Sequence, residues 1–170
     1  MRPRLALLFA AILVACSCHR APETPEGVTN AELEITLTSL PNQFRVAANQ
    51  GRELVLEPTD SERGGHLAFA VEKPDYGINM VEAVNRHQQR IETLPQGEYK
   101  GGQELMGPLG SAFWSRGRHG DGPSLTEEAL VVTLHPSGPA LLSLTYSYPA
   151  GDDSRERMEE LLAVLAEVEP

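Results

Sequence analysis

Leu141-Leu142-Ser143-Leu144-Thr145-Tyr146-Ser147-Tyr148 is the stretch that decides the fold. Leu142, Leu144, Tyr146 and Tyr148 fall on one face and Leu141, Ser143, Thr145 and Ser147 on the other, the period of two of a β-strand. Pro149-Ala150-Gly151 stops it, and the periodicity then changes. Met158, Leu161, Leu162, Leu165 and Val168 recur at helical spacing and give the next segment one apolar stripe. Asp153 is placed to cap that helix, with Glu156 three residues on. A strand needing cover on one face, followed at once by a helix needing cover on one stripe, predicts a layered α+β domain.

Working back along the chain, Glu128 to His135 reads as the strand before it, turned by Pro136-Ser137-Gly138-Pro139. Strands are predicted at Ser111 to Arg118 and Tyr99 to Leu105, with Gly107-Pro108 turning between them. Met80, Val84, His87, Ile91 and Leu94 predict a helix over Asn79 to Thr93, ended by Pro95. Earlier, Leu67, Phe69 and Val71 alternate, as do Leu54 and Leu56, Phe44 and Val46, and Leu33, Ile35 and Leu37. No internal repeat and no second composition regime appears, so residues 31–170 read as a single α+β domain: an antiparallel β-sheet packed with two amphipathic helices.

In that order of elements, and in Glu128 to Leu134, the Pro-Ser-Gly turn, Leu142 to Tyr148 and Met158 to Val168, the chain resembles the PsbP/DcrB-like family. The resemblance implies an α/β/α-type sandwich around an antiparallel sheet. It also implies an envelope lipoprotein, since bacterial members are often that, and related adaptor chaperones cradle apolar segments of secreted cargo. The family has no shared catalytic set, so the resemblance assigns no residue roles.

The N-terminus gives an address. Arg2 and Arg4 precede an apolar run from Leu5 to Val14, too short for the ~20 residues of a membrane span and suited to a signal peptide over residues 1–15. Leu13-Val14-Ala15-Cys16 resembles the bacterial lipobox, which implies a diacylglyceryl group on the Cys16 thiol and cleavage before it. An ordinary signal peptide with Cys16 a bystander is the competing reading. Several acyl chains hold firmly, at about 0.8 kcal/mol per buried CH₂. Ser17 after Cys16 points to the outer membrane, facing the periplasm, in a Gram-negative cell. Residues 16–30, with Pro22 and Pro25 and no apolar periodicity, read as the lipidated cysteine and a flexible linker.

Composition narrows the function classes. The net charge is −10, and loss of Arg2 and Arg4 with the signal peptide makes the mature chain more acidic still. Such a surface repels phosphate backbones and anionic headgroups, which argues against nucleic-acid binding. The cysteines are two, Cys16 and Cys18, so lipidation of the first leaves no disulfide to staple the domain.

Candidate chemistry is sparse. His19, His66, His87, His119 and His135 form no HxxxH or HxH pair, so they read as scattered surface or edge residues rather than metal ligands, and no cofactor is expected. There is no Gly-x-Ser-x-Gly elbow. His119 and Asp121 flank Gly120, and with Arg116 and Arg118 they are the only candidates for a convergent catalytic set, against a simple polar loop. Asp152-Asp153 with Arg155 and Arg157 reads as helix capping before an ion site, and Glu159-Glu160 as a solvated helix face. Trp114, the single tryptophan, lies beside Phe113 on the opposite face of one strand. It is either core or a binding anchor. Tyr146 and Tyr148 read as core lining, with groove rims as the alternative. The expected role is a non-catalytic, membrane-anchored envelope lipoprotein binding an envelope protein as an assembly or adaptor factor. The alternative is a lipoprotein that binds a small ligand.

Overall fold

The computed structural model describes residues 27–75, 77–151 and 154–170. The Cys16 lipobox, the signal peptide, Cys18, most of the linker and the Asp152-Asp153 cap lie outside these residues.

Among the described residues, ten strands and two α-helices follow one another as β1 (Val28–Asn30), β2 (Ile35–Leu37), β3 (Phe44–Gln50), β4 (Glu53–Pro58), β5 (His66–Glu72), α1 (Met80–Thr93), β6 (Glu98–Gly107), β7 (Gly110–His119), β8 (Thr126–Leu134), β9 (Leu141–Pro149), α2 (Ser154–Ala166) and β10 (Val168–Glu169). Seven strands form one sheet in the order β3-β4-β5-β9-β8-β7-β6, antiparallel throughout. The remaining three form a small sheet, β1-β2-β10.

Strand alternation sorts the two faces. Leu142, Leu144, Tyr146 and Tyr148 of β9 join Ala129 and Val131 of β8 in the main core, with Leu161, Val164 and Leu165 of α2. Leu130 and Val132, on the other face of β8, pack with Leu141 and with Ala83 of α1. The helices therefore cover opposite faces, as the layered α+β reading requires. They are also offset: α1 lies over β6, β7 and β8, whereas α2 lies over β9. Beyond α2 the small sheet continues its layer, adding Leu33, Ile35, Leu37 and Val168 to the core that also holds Phe44, Leu54, Leu56, Leu67 and Phe69. Among the described residues, every buried core residue lies between Leu33 and Val168.

Three sequence expectations are corrected. Strand pairing reaches back before Ala31: Val28–Asn30 pair with β2, although three residues are too few to show a period. Asn30, wholly inside, donates from Nδ2 to Asn49 Oδ1 (2.8 Å) and the Glu53 carbonyl (3.1 Å), tying the small sheet to the β3–β4 turn. Second, α2 ends at Ala166, and Val168 is not on its stripe but pairs with Leu37 in β2. Third, Glu160 is not on a solvated helix face; it is buried, accepting from Tyr146 Oη at 3.1 Å and from Arg63 Nη1 at 2.8 Å.

The first helix starts where Asn79 accepts a hydrogen bond from the Glu82 N–H at 3.2 Å and stops at Leu94, whose backbone is extended ahead of Pro95. It sits close on β7 because Gly117 lies beneath Ile91: a Cβ there would stand 2.6 Å from Ile91 Cγ2. No helix among the described residues is long and apolar enough to cross a membrane.

Candidate functional site

The offset of the helices leaves part of the sheet uncovered on the α2 side. There, β7 presents Ala112, Trp114, Arg116 and Arg118, and β6 presents Gln103 and Leu105, since Gln103 pairs with Trp114 and Leu105 with Ala112. Helix α2 runs past as a wall, turning Met158 and Leu162 toward them. The result is a groove of about 350 Å³ floored by Leu105, Trp114 and Ala129, walled by Met158 and Leu162, with Arg116 at its floor. Trp114 is half-buried, resting on the main core and lining the groove at once.

The polar groups around the groove are mostly engaged. Arg155 Nε donates to Glu159 Oε1 at 3.0 Å, and Arg118 Nε donates to Glu98 Oε2 at 2.8 Å. Arg116 differs: its buried Nε has no hydrogen-bond partner, and the residue forms no ion pair among the described residues. An apolar floor with one unspent cation suits an apolar guest with a polar handle.

The proposed catalytic set does not assemble. Arg116 and Arg118 point to the α2 face, while His119, one residue on, points to the α1 face. There burial, with the Arg90 guanidinium, lowers the His119 imidazole. Asp121 is exposed and accepts from Gln96 Nε2 at 3.3 Å. The sheet stands between the two arginines and His119.

A different set, unforeseen in the sequence, does converge beneath α1. His87 is buried rather than on the surface, with Nδ1 2.6 Å from Ser115 Oγ and Nε2 2.9 Å from Glu128 Oε1. Arg90 forms an ion pair with the same Glu128 oxygen, and Ser147 Oγ donates to Glu128 Oε2 at 3.3 Å. Burial, helped by Arg90, pushes the His87 imidazole down to about 4. The ring is therefore neutral near pH 7, Nε2–H donates to the carboxylate, and Nδ1 accepts from the Ser115 hydroxyl. This is the connectivity of a serine–histidine–acid triad, but Ser115 is wholly buried and Glu128 and His87 nearly so. The hydroxyl has no path to a substrate. The signal available in the sequence was a histidine on the apolar stripe of α1; nothing local pointed to Ser115 or Glu128.

The other expected residues are placed as follows. His135 is buried, with Nε2 donating to the Leu33 carbonyl at 2.9 Å and Nδ1 accepting from the Ser137 N–H at 3.1 Å, so it joins the small sheet to the β8–β9 turn. His66 is exposed on β5. Tyr146 and Tyr148 are core residues, and Arg157 is buried against both. No group of three or more metal-ligating side chains occurs among the described residues.

No protein-family model matches this chain, and no curated protein matches it. Its fold is nevertheless found among solved structures. One is LpqN, described as involved in cell envelope biogenesis of Mycobacterium tuberculosis: 20% identical, TM-score 0.52, covering 80% of this chain and 83% of that one. Another is a protein of Bacteroides thetaiotaomicron VPI-5482: 13% identical, TM-score 0.51, covering 79% of this chain but only 44% of that one. At these identities the likeness is one of fold: an antiparallel sheet with two helices, shared with a protein of cell envelope biogenesis.

Proposed function

We propose that this chain is a non-catalytic, lipid-anchored cell-envelope lipoprotein of PsbP/DcrB-like type that binds a protein partner through the Trp114 groove, as an assembly or adaptor factor. The groove carries the proposal: an aromatic anchor, a flexible Met158 and aliphatic Leu105 and Leu162 gathered on an uncovered sheet face. The fold shared with a cell-envelope biogenesis protein supports the address, as do the charged start, apolar run and lipobox ending at Cys16. The placement favoured by Ser17 is the outer membrane, facing the periplasm. The sealed Ser115 hydroxyl supports a non-catalytic role.

The test is in-cell crosslinking of the full-length protein with a photoreactive residue at position 105, compared with one at position 46 on β3. One envelope protein should be captured from position 105 and not from position 46. Met158→Glu should abolish that capture, and Cys16→Ala should abolish both capture and incorporation of labelled palmitate. Equal capture from both positions refutes the groove, and retained palmitate label in Cys16→Ala refutes the anchor.

A lipoprotein binding a small ligand is the second reading, favoured by one observation: the groove's volume of about 350 Å³ falls in the range of small-molecule sites. A metabolite that raises the melting temperature of the purified domain, and does so only with Trp114 present, would support it.

A further inference from the structure

We infer that the guest of the Trp114 groove is an extended apolar segment of a partner protein that carries a carboxylate, and that Arg116 receives that carboxylate. The inference rests on the groove being the partner-binding surface and adds the chemistry of the partner.

Arg116 is the reason for the acid. It stands on β7 beside Trp114, on the face that α2 leaves bare, and its buried Nε lacks a hydrogen-bond partner. Two neighbouring pairs are spent on one another, Arg155 on Glu159 and Arg118 on Glu98, whereas Glu127 accepts only from the neutral Tyr148 hydroxyl, at 3.3 Å. Arg116 lines the groove and forms no ion pair among the described residues, so the charge of its guanidinium is open to a carboxylate that a guest brings. The chain as a whole has a net charge of −10, so long-range attraction does not draw anions to it. Selection of an acid must come from contact, through a charge-assisted hydrogen bond in a partly dry site.

The shape of the groove is the reason for a polymer. Its outer side is β6, the last strand of the seven-stranded sheet, so the groove is closed by α2 on one side only. A small ligand gains most from a site that encloses it, which this one does not. A protein segment can lay two or three apolar side chains against Trp114, Leu105, Met158 and Leu162 and continue past the sheet edge.

Trp114 supplies the readout, because it is the only tryptophan in the chain and forms the groove floor. The full chain carrying Cys16→Ala, free of detergent, would be titrated with three capped pentapeptides: four leucines around a central glutamate, glutamine or lysine. The glutamate peptide should shift the Trp114 emission to the blue and bind about tenfold tighter than the glutamine peptide, the value of one charge-assisted hydrogen bond. The lysine peptide should bind weakest. Arg116→Gln should erase the preference for glutamate over glutamine, and Arg116→Lys should keep much of it; circular dichroism checks that each variant is folded. Equal affinity of the three peptides for the wild-type domain overturns the role of Arg116 and leaves the groove as the docking surface. No emission change with any peptide overturns both. Decanoate binding more tightly than the glutamate peptide, with the same dependence on Arg116, overturns the protein segment in favour of an anionic amphiphile.

Discussion

The Arg157 guanidinium lies over the rings of both Tyr146 and Tyr148, 5.4 Å from each centroid, while the two rings meet edge to face at 5.3 Å. Its Nη1 donates to Tyr146 Oη at 2.6 Å and to Glu160 Oε2 at 3.3 Å, and its Nη2 donates to the Arg63 carbonyl at 3.3 Å. Arg63 in turn holds Glu160 and Glu156. One buried cation thus joins α2 to β9 and to the β4–β5 loop, and burial together with Glu160 pushes the Tyr146 hydroxyl up to about 12.

Replacing Arg157 tests whether this network stabilises the fold. Arg157→Ala should cost about 3–5 kcal/mol, the usual result of removing one partner of a buried pair. Arg157→Met should cost less, because it fills the space and Glu160 keeps Arg63. Guanidinium unfolding would show both effects as lower midpoints at constant slope; a wild-type midpoint for Arg157→Ala would refute the assignment.

The close approach of Ile91 to Gly117 predicts a specific rescue. Gly117→Ala places a methyl group 2.6 Å from Ile91 Cγ2 and should destabilise by about 1–3 kcal/mol through overpacking. Ile91 is wholly buried, so Ile91→Ala should itself cost about 2–5 kcal/mol. The double variant should be more stable than the sum of the two losses allows, because each change relieves the other. Strict additivity in a double-mutant cycle would exclude the contact as the cause.

His87 makes stability depend on pH. In the unfolded chain its imidazole takes up a proton near 6.5, whereas in the folded domain burial delays this to about 4. The charge of Glu128 is already met by Arg90, so it does not hold a second proton on the ring. The stability attached to neutral His87 is therefore complete above pH 6.5 and is lost as the pH falls from 6.5 to 4, by roughly 3 kcal/mol in all. Urea unfolding at intervals across that window should show the fall in the wild type and a shallower one in His87→Gln. Equal slopes in the two proteins would show that other groups are responsible.

Ser115 separates a sealed polar network from a reactive site. Ser115→Ala removes the hydroxyl donor to His87 Nδ1 and should cost about 1–3 kcal/mol for the buried acceptor left behind. It should leave partner capture through the groove unchanged, since Ser115 is on the opposite face of β7 from Trp114. Labelling of Ser115 by a fluorophosphonate in the native protein would contradict its enclosure.

Most elements were legible because each carries its own period. The alternation in Leu142 to Tyr148 and in Leu67 to Val71, and the helical spacing from Met80 to Ile91, are local patterns that require one buried face or stripe. The strands Val28–Asn30 and Val168–Glu169 are too short to show a period, and they exist because Leu37 lies between them and pairs with both Val28 and Val168. Trp114 and Arg116 were visible as candidates, but not their pairing in one groove. That depends on which part of the sheet α2 leaves uncovered.

By itself the sequence determined the alternating strands, the two amphipathic helices and the layered α+β class, because these follow from the spacing of apolar residues. The tertiary structure alone decided that α1 and α2 are offset on opposite faces, that Trp114 and Arg116 share an open groove while His119 is turned away, and that His87, Ser115 and Glu128 meet in the interior. Those are contacts between residues tens of positions apart, and only the register of β7 on β8 and the placement of each helix on the sheet bring them together.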